Sequence, residues 1–303
     1  NASILTHRNF TQDSGLDLYL GYLFFIVKCT LMIHLLIRIY FKQEASSMFR
    51  KREFPILEFD PILDAKIEPS KLISNTGVPE NCVITFFGDV INEMLQAGKL
   101  KQVAMLYCAT INLPIYETTH NGKSIAIVQG FLGAAGSAAF LEEMIAMGIK
   151  KFIVCGAAGV LQKGVQVGHL IVPYSAIRDE GVSYHYAKPS REIECNHHAI
   201  KTIENYLQKA SIPYIKSKTW TTDAFYRETE DKIALRVSEG CVTVEMEAAA
   251  FFAVSNFRNV VLGQILFGGD DLSGVEWDSR KWNSREEIRR NLVELSLNIC
   301  QQL

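Results

Sequence analysis

Two acidic residues follow apolar stretches of the chain at points where predicted strands end. Glu247 lies in the segment Thr243–Ala250, of sequence TVEMEAAA, and Asp270 lies in the segment Phe267–Asp271, of sequence FGGDD. A carboxylate in apolar surroundings costs free energy unless it is hydrogen-bonded. Two carboxylates at the ends of neighbouring strands indicate one site that binds hydroxyl groups and supplies a proton.

Two glycine-containing segments are predicted at the same edge of the sheet. Gly130–Gly136, of sequence GFLGAAG, lies between a predicted strand and a predicted helix, where backbone amides can bind an anion. Its G-x-x-G-x-x-G spacing differs from that of dinucleotide-binding folds, so a ligand-lining loop and a tight packing turn both stay open. Gly156–Gly159, of sequence GAAG, is predicted to be a second loop. Ligands bind beyond the carboxyl ends of the strands in open α/β sheets, so we expect one shared site there.

The elements that position these residues alternate along the chain. Apolar strand-like segments and amphipathic helical segments follow one another, which predicts an α/β fold with a largely parallel sheet and helices on both faces. The predicted strands are 83–87, 102–108, 123–129, 151–155, 168–173, 241–246 and 259–267. The predicted helices are 136–147, 197–209, 247–255 and 284–301.

The first 80 residues have a different character from the rest. We predict an N-terminal extension over 1–52, a proline-containing linker over 53–80 and a catalytic domain over 81–303. The apolar stretch 18–41 is long enough to cross a bilayer but contains Lys28, His34 and Arg38. Charges at mid-membrane are costly, so a helix buried against protein, a membrane-associated helix and a separate appendage all stay open.

Composition excludes several classes of function. The chain has 303 residues, is 48% hydrophobic and carries a formal charge of −2, so a nucleic-acid-coating surface is not expected. Its seven cysteines are scattered without a C-x-x-C pair, which indicates a reducing compartment and predicts a cytoplasmic protein. The adjacent His197 and His198 have no further ligand at metal-binding spacing, so no metal site is predicted.

Five segments together resemble the nucleoside phosphorylase family, which includes uridine phosphorylases and hexameric purine nucleoside phosphorylases. They are GAAGV at 156–160, SAIRDEGVSYHY at 175–186, TTDAFYRET at 221–229, VEMEAAA at 244–250 and GGDD at 268–271. The resemblance covers residues 80–301. It implies a three-layer α/β/α sandwich around a mixed, largely parallel sheet. It also implies cleavage of a ribosyl C1′–N bond, homo-oligomers built from dimers, and no cofactor beyond inorganic phosphate as a co-substrate.

The resemblance also implies roles for individual residues. Glu247 matches the acid that binds the ribose hydroxyls, and Met246 matches the residue that packs beneath the sugar. Glu245 is the second acid of that motif, and Phe225 matches the aromatic residue on which the base stacks. Asp270 matches the acid that protonates the leaving purine. Such assistance suits the chemistry, because breaking a glycosidic bond forms an oxocarbenium-like sugar and an anionic base.

The nucleophile side departs from the family pattern. The resemblance assigns Gly156 and Ala157 to the substrate, and Gly88, Gly133 and Gly136 to the phosphate or nucleophile loop. The family's phosphate-binding arginines fall at Asn92, at Val154 and near Glu117, and none of these is basic. The uracil-reading residues fall at Thr229 and Asp231, which favours a purine-type base. Water is therefore an alternative nucleophile, as in the family's nucleosidases.

Each assignment has a structural alternative. Glu247 can serve as an acid at a helix N-terminus, and either Asp270 or Asp271 can be a loop or capping residue. Phe225 and Tyr226 can be core aromatics, and Arg178–Glu180 can be a structural ion-pair cluster. Arg285 is expected on the surface of the last helix. A non-catalytic nucleoside-binding or storage protein is the alternative of a different class.

Overall fold

The computed structural model describes residues 25–33, 35–36 and 51–303. The chain divides into two units, Asn1–Lys51 and Arg52–Leu303. Residues 25–33, 35 and 36 are helical, and the remainder of the apolar stretch 18–41 lies outside the described residues. None of the helices in the described ranges combines the length and the apolar character that crossing a bilayer requires.

Residues 51–303 form an α/β unit with ten strands and seven α-helices. The strands are β1 (Asn81–Thr85), β2 (Lys101–Tyr107), β3 (Asn112–His120), β4 (Lys123–Gln129), β5 (Lys151–Val160), β6 (Leu170–Asp179), β7 (Glu192–Glu194), β8 (Tyr214–Thr222), β9 (Cys241–Glu245) and β10 (Val261–Asp271). The helices are α1 (Pro69–Leu72), α2 (Gly88–Gln96), α3 (Ala134–Ala146), α4 (His197–Lys209), α5 (Glu230–Ser238), α6 (Ala248–Phe257) and α7 (Glu286–Cys300). Four 3₁₀ turns accompany them: Pro55–Leu57, Ser183–His185, Phe225–Arg227 and Trp282–Ser284.

The strands belong to one mixed sheet that partly closes on itself. Its order is β10-β6-β8-β9-β5-β1-β4-β3-β2, with β7 beside β6. An additional parallel pairing of β10 with β5 closes the first five of these strands into a ring. The central strands β1, β4, β5 and β10 run parallel, so their carboxyl ends meet at one edge.

Helices cover both faces of the sheet. One core packs α3 and α6 against β1, β4 and β5 through residues such as Leu141, Phe251 and Phe252. The other packs α2, α4 and α7 against the opposite face through residues such as Phe87 and Phe267. The predicted sandwich around a mixed sheet is therefore confirmed, with the partial ring as an addition.

Two strands continue beyond their predicted ends. The segment Gly156–Gly159 is not the predicted loop but the second half of β5, and the GGDD segment forms the end of β10. Here the glycines reflect close packing of neighbouring strands. A side chain at Gly159 would meet Leu272 and Val244, and one at Gly268 would meet Val160. The two strands stay paired through this region, with a bulge between Gly268 and Asp271.

Six further strands and helices were not among the predicted ones: β3, β7, β8, α1, α2 and α5. β3 is only partly buried and contains Pro114, and β8 carries several polar residues, so neither reads as a continuous apolar strand. α2 begins at Gly88, shortly after a buried strand. Because glycine is a poor helix former, the sequence does not indicate that a helix starts there. Pairing within the sheet, rather than local propensity, fixes these strands.

Candidate active site

The end of β9 and the start of α6 form a compact carboxylate turn. Glu245 accepts hydrogen bonds from the backbone amides of Glu247 at 2.7 Å and Ala248 at 2.6 Å. Its other oxygen accepts a 2.6 Å hydrogen bond from the Thr221 hydroxyl. Both oxygens of Glu245 are thus engaged within the protein, and this residue, not Glu247, satisfies the first amides of α6. We conclude that Glu245 holds the turn in place.

Glu247 stands at the N-cap position of α6, but its side chain forms no capping hydrogen bond. It turns instead towards the glycine segment, where one carboxylate oxygen accepts a 2.6 Å hydrogen bond from the Gly133 amide. Gly133 has φ of +90°, a conformation that favours glycine. Glu247 is thus an acid at a helix N-terminus, and its carboxylate also joins the loop before α3 to the start of α6.

The electrostatic surroundings of Glu247 favour its protonated form. Only 6% of the residue is exposed. Burial raises the pKa of Glu247, the nearby Glu245 raises it further, and the Gly133 amide opposes this rise. Burial also raises the pKa of Glu245, although its three hydrogen bonds lower it. A proton can thus be held at this pair close to neutral pH.

Asp270 and Asp271 have different surroundings at the end of β10. Asp271 contacts the Arg280 guanidinium and accepts a 2.8 Å hydrogen bond from the Ser273 amide. Burial by itself would raise the pKa of Asp271, but the Ser273 hydrogen bonds and Arg280 outweigh it, so that the pKa is lowered. Asp270 instead accepts a 2.7 Å hydrogen bond from the Trp277 indole N–H. Asp271 is therefore a structural residue, and Asp270 is the one left for a ligand.

The two candidate acids flank the second half of β5. That strand pairs with β10 on one side and, through Gly159 and Val244, with β9 on the other. The carboxylate oxygen Oδ1 of Asp270 lies 3.6 Å from the position of a Cβ at Gly159. Two strand spacings amount to roughly 10 Å, so the ends of β9 and β10 lie about that far apart across β5.

The aromatic segment that the resemblance assigns to the nucleobase lies on the protein surface. Phe225 and Tyr226 belong to the 3₁₀ turn after β8, with 44% and 88% of each residue exposed. Their ring centroids are 4.0 Å apart. The core-aromatic alternative is therefore wrong for both. Met246 is half-buried between the two acids of the turn. An exposed ring beside a cleft can stack on a base without rearrangement of the core.

The three glycines predicted at the nucleophile loop occupy different environments. Gly88 opens α2 and packs on the Gln129 side chain, while the Gly133 amide is taken by Glu247. Gly136 lies inside α3, where an added Cβ would come within 2.1 Å of the Phe131 ring. Within the Gly130–Gly136 segment, Gly136 therefore serves close packing, as the packing-turn interpretation predicts. The Gly133 amide instead holds the Glu247 carboxylate.

The resemblance implies phosphate-binding arginines, and among residues 51–303 no other arginine clearly takes their place. Asn92 is exposed on α2, and Val154 is buried within β5. Arg289 approaches the start of α2 from α7, but it pairs with Asp89 at 2.7 Å and stacks over the Phe87 ring. The carboxylate of Asp89 neutralises this charge. The nucleophile side therefore has little net positive charge for a phosphate dianion.

Arg178 and its neighbours build a structural network. The Arg178 guanidinium donates to the Ser183 hydroxyl at 2.8 Å, to the Lys188 carbonyl at 2.7 Å and to the Ser190 hydroxyl at 2.7 Å. Burial lowers its pKa, and Glu180 contacts the same Ser183 hydroxyl. These bonds hold the loop after β6, so the structural alternative is the one that the contacts support for Arg178.

A third acid, Glu228, accompanies Asp270 and was not singled out in the sequence. It follows the Phe225–Arg227 turn, is partly buried, and donates its backbone N–H to the Phe225 carbonyl at 3.3 Å. Burial, followed by the charge of Asp270, raises the pKa of Glu228 to about 7, against a smaller effect of Lys232. The only signal in the sequence is its position three residues after Phe225.

Comparison with known proteins places this geometry in a family. A family model described as the phosphorylase superfamily matches residues 101–301. The chain belongs to the phosphorylase superfamily. Curated members similar to it include a guanosine phosphorylase of Halorubrum lacusprofundi, 24% identical over 195 residues that cover 62% of this chain and 80% of the relative. A DeoD-type purine nucleoside phosphorylase of Exiguobacterium is 26% identical over 70% of this chain and 91% of its own.

Solved structures in the superfamily share the fold. A uridine phosphorylase from Vibrio fischeri superimposes with a TM-score of 0.63 and 21% identity, covering 76% of this chain and 95% of that one. An AMP nucleosidase from Bacteroides thetaiotaomicron gives a TM-score of 0.59 and 17% identity, with coverage of 74% and 88%. Both solved structures thus share the fold of this chain, and the curated relatives named above are nucleoside phosphorylases.

The position of Glu228 predicts a pH dependence for this superfamily member. Above pH of about 7 the ionised Glu228 adds negative charge beside Asp270 and opposes the anionic leaving base. We expect base release to fall as pH rises through about 7, and Glu228→Gln to flatten this fall. The measurement is kcat/KM for base release between pH 5 and pH 9. Glu230→Gln, an exposed neighbour, is the matched control. An unchanged pH profile in Glu228→Gln would contradict the prediction.

Proposed function

We propose that the protein cleaves the N-glycosidic bond of a purine nucleoside to give free base and ribose 1-phosphate. The observation that carries this proposal is the placement of Glu247 and Asp270 on either side of the end of β5. Glu247 accepts the Gly133 amide on one oxygen, and in this proposal its carboxyl also binds the ribose hydroxyls. Asp270 acts electrostatically on Glu228, which directly follows the exposed Phe225–Arg227 turn, and we propose that this region binds the base.

The chemistry follows from these positions. The C1′–N bond breaks and its electron pair leaves with the base, while the proton of Asp270 moves to a base nitrogen. An oxygen of the nucleophile forms the new bond to C1′, and the proton that it releases restores Asp270. Glu247 stabilises the cationic sugar through its hydroxyls. General acid assistance of this kind contributes about 10²–10⁴ in rate.

Hydrolysis is the second candidate, and a specific observation favours it. The positions of the family's phosphate-binding arginines hold Asn92, Val154 and Glu117, and Arg289 is neutralised by Asp89. A phosphate dianion needs charge-assisted donors, whereas water does not. The structural similarity to an AMP nucleosidase is compatible with this alternative.

Base release with and without phosphate distinguishes the two nucleophiles. We expect phosphorolysis to give a rate that rises with phosphate concentration and a product that carries the phosphoryl group at C1′. Hydrolysis gives a rate indifferent to phosphate and free ribose. Adenosine, inosine, guanosine and uridine form the substrate panel, and a preference for uridine would contradict the purine assignment. Binding without turnover across the panel would support the non-catalytic alternative instead.

The remaining properties follow from the same proposal. The reaction uses protein acids and a small nucleophile, so we propose that it needs no cofactor and no metal ion. Several large apolar side chains are exposed, among them Leu132, Phe225 and Tyr226, and we propose that the protein is a homo-oligomer. The domain boundaries at residues 52 and 80 and the cytoplasmic location also remain proposals.

A further inference from the structure

The loop after β10 is closed at its base and open at its tip. Asp271 and Asp278 exchange two backbone hydrogen bonds, of 2.8 Å and 3.0 Å. Arg280 contacts the Asp271 carboxylate and donates to the Val165 carbonyl at 2.8 Å. At the tip, Val275 is 93% exposed and Trp277 is 63% exposed. The loop therefore holds an aromatic side chain at the surface from an anchored base.

That aromatic side chain makes one polar contact with the candidate acid. The Trp277 indole N–H donates to oxygen Oδ2 of Asp270 at 2.7 Å. An indole N–H can donate but cannot accept. Oδ2 must therefore act as the acceptor, and a proton on Asp270 must reside on Oδ1. Once that proton has moved to the base, Asp270 is a carboxylate and the bond from the indole becomes of the stronger, charge-assisted kind.

The other oxygen points towards the remainder of the site. Oδ1 of Asp270 lies 3.6 Å from the position of a Cβ at Gly159, and the same position lies 2.9 Å from the Val244 side chain. Val244 belongs to β9, three residues before Glu247. The indole thus directs the oxygen that can carry the proton towards the strand that leads to the sugar-binding acid.

We propose that Trp277 is a positioning residue that orients Asp270 for proton transfer to the nucleobase. The inference rests on the proposed nucleoside cleavage and adds a residue to it. Trp277 acts through Asp270: its indole occupies Oδ2 and leaves Oδ1 as the proton-carrying oxygen. The effect requires the N–H group and not merely an aromatic ring, which separates it from simple packing.

Trp277→Phe tests the kinetic consequence, because it keeps an aromatic ring and removes the donor. We expect kcat for base release to fall about 10-fold with KM changed by less than about twofold, as loss of a hydrogen bond to a charged group implies. The pH profile should shift as well. In the Asp270→Asn background the same substitution should have no further effect. Val275→Ala, in the same loop, is the matched control.

A spectroscopic readout makes the test independent of turnover. The chain has three tryptophans, so the NMR spectrum of the isotope-labelled full chain contains few indole N–H resonances. The resonance that disappears in Trp277→Phe is that of Trp277. Asp270→Asn, which replaces the carboxyl acceptor of the indole N–H by an amide oxygen, should move the Trp277 resonance. The Trp220 resonance should stay in place, since its indole donates to Asp179 at 3.1 Å and provides an internal reference.

The outcomes separate the two levels of the proposal. Wild-type kcat and pH profile in Trp277→Phe, or a Trp277 resonance that ignores Asp270→Asn, overturns the positioning role. Additive losses in the double variant do the same. A wild type that releases no base refutes the proposed function, and the resonance then still decides whether Trp277 holds Asp270.

Discussion

Asp270→Asn is expected to lower kcat for nucleoside cleavage by about 10²–10⁴, the usual contribution of a positioned general acid. The amide keeps the size of the side chain and can still accept the Trp277 indole hydrogen bond through its oxygen. It cannot deliver a proton to the leaving base. The measurement is steady-state base release together with nucleoside affinity, which should change much less than kcat.

The neighbouring acid provides the comparison. Asp271→Asn removes a carboxylate that contacts Arg280 and the Ser273 amide, so its expected effect is a lower melting temperature and a smaller loss of activity. If both variants are fully folded, and Asp271→Asn abolishes turnover whereas Asp270→Asn retains it, the assignment of the general acid to Asp270 is wrong.

Glu247→Gln is expected to lower kcat/KM by about 10²–10³, similar to the loss of a group that stabilises transition-state charge. The glutamine can still accept from the Gly133 amide, so the loop before α3 should stay in place. The amide cannot give up a proton, so it cannot supply the negative charge that Glu247 gains when its carboxyl, whose pKa is raised to about 8, ionises beside the oxocarbenium-like sugar. Base release from a ribonucleoside is the readout, and wild-type kcat/KM would contradict the role of Glu247.

The stability of this variant has its own pH dependence. Burial raises the pKa of Glu247 in the folded protein above the ordinary glutamate value of about 4.3. An acid with a raised folded pKa contributes stability at low pH and loses it as pH rises through that folded value. As pH rises from 5 to 9, the free energy of unfolding should therefore fall less for Glu247→Gln than for the wild type. Chemical denaturation at both pH values measures this, and equal losses would contradict the burial argument.

Glu245→Gln provides the contrast for both readouts. Its carboxylate is bonded to the Glu247 and Ala248 amides and to Thr221, all within the protein. One amide group cannot accept all three hydrogen bonds in the same geometry. We expect a lower stability at every pH, with any loss of activity arising through a displaced Glu247.

The sequence by itself determined the fold class and the family, and it singled out the two segments that carry the candidate acids. Alternating apolar segments required a sheet with helices on both faces, because such segments bury their side chains only in that arrangement. The acids in VEMEAAA and GGDD stood out because carboxylates in apolar stretches need a specific reason. Three of the predicted segments, 123–129, 151–155 and 197–209, match or lie within the elements observed.

The tertiary structure decided the relations between residues that are distant in the chain. The continuation of β5 through GAAG, the choice of Asp270 over Asp271, and the bond between Gly133 and Glu247 all depend on partners from other strands. Glu228 and Trp277 gained their importance only through the folded position of Asp270. Local sequence sets propensity and burial pattern, whereas hydrogen-bond partners and electrostatic neighbours are set by strand pairing and loop closure, which a short window of residues does not contain.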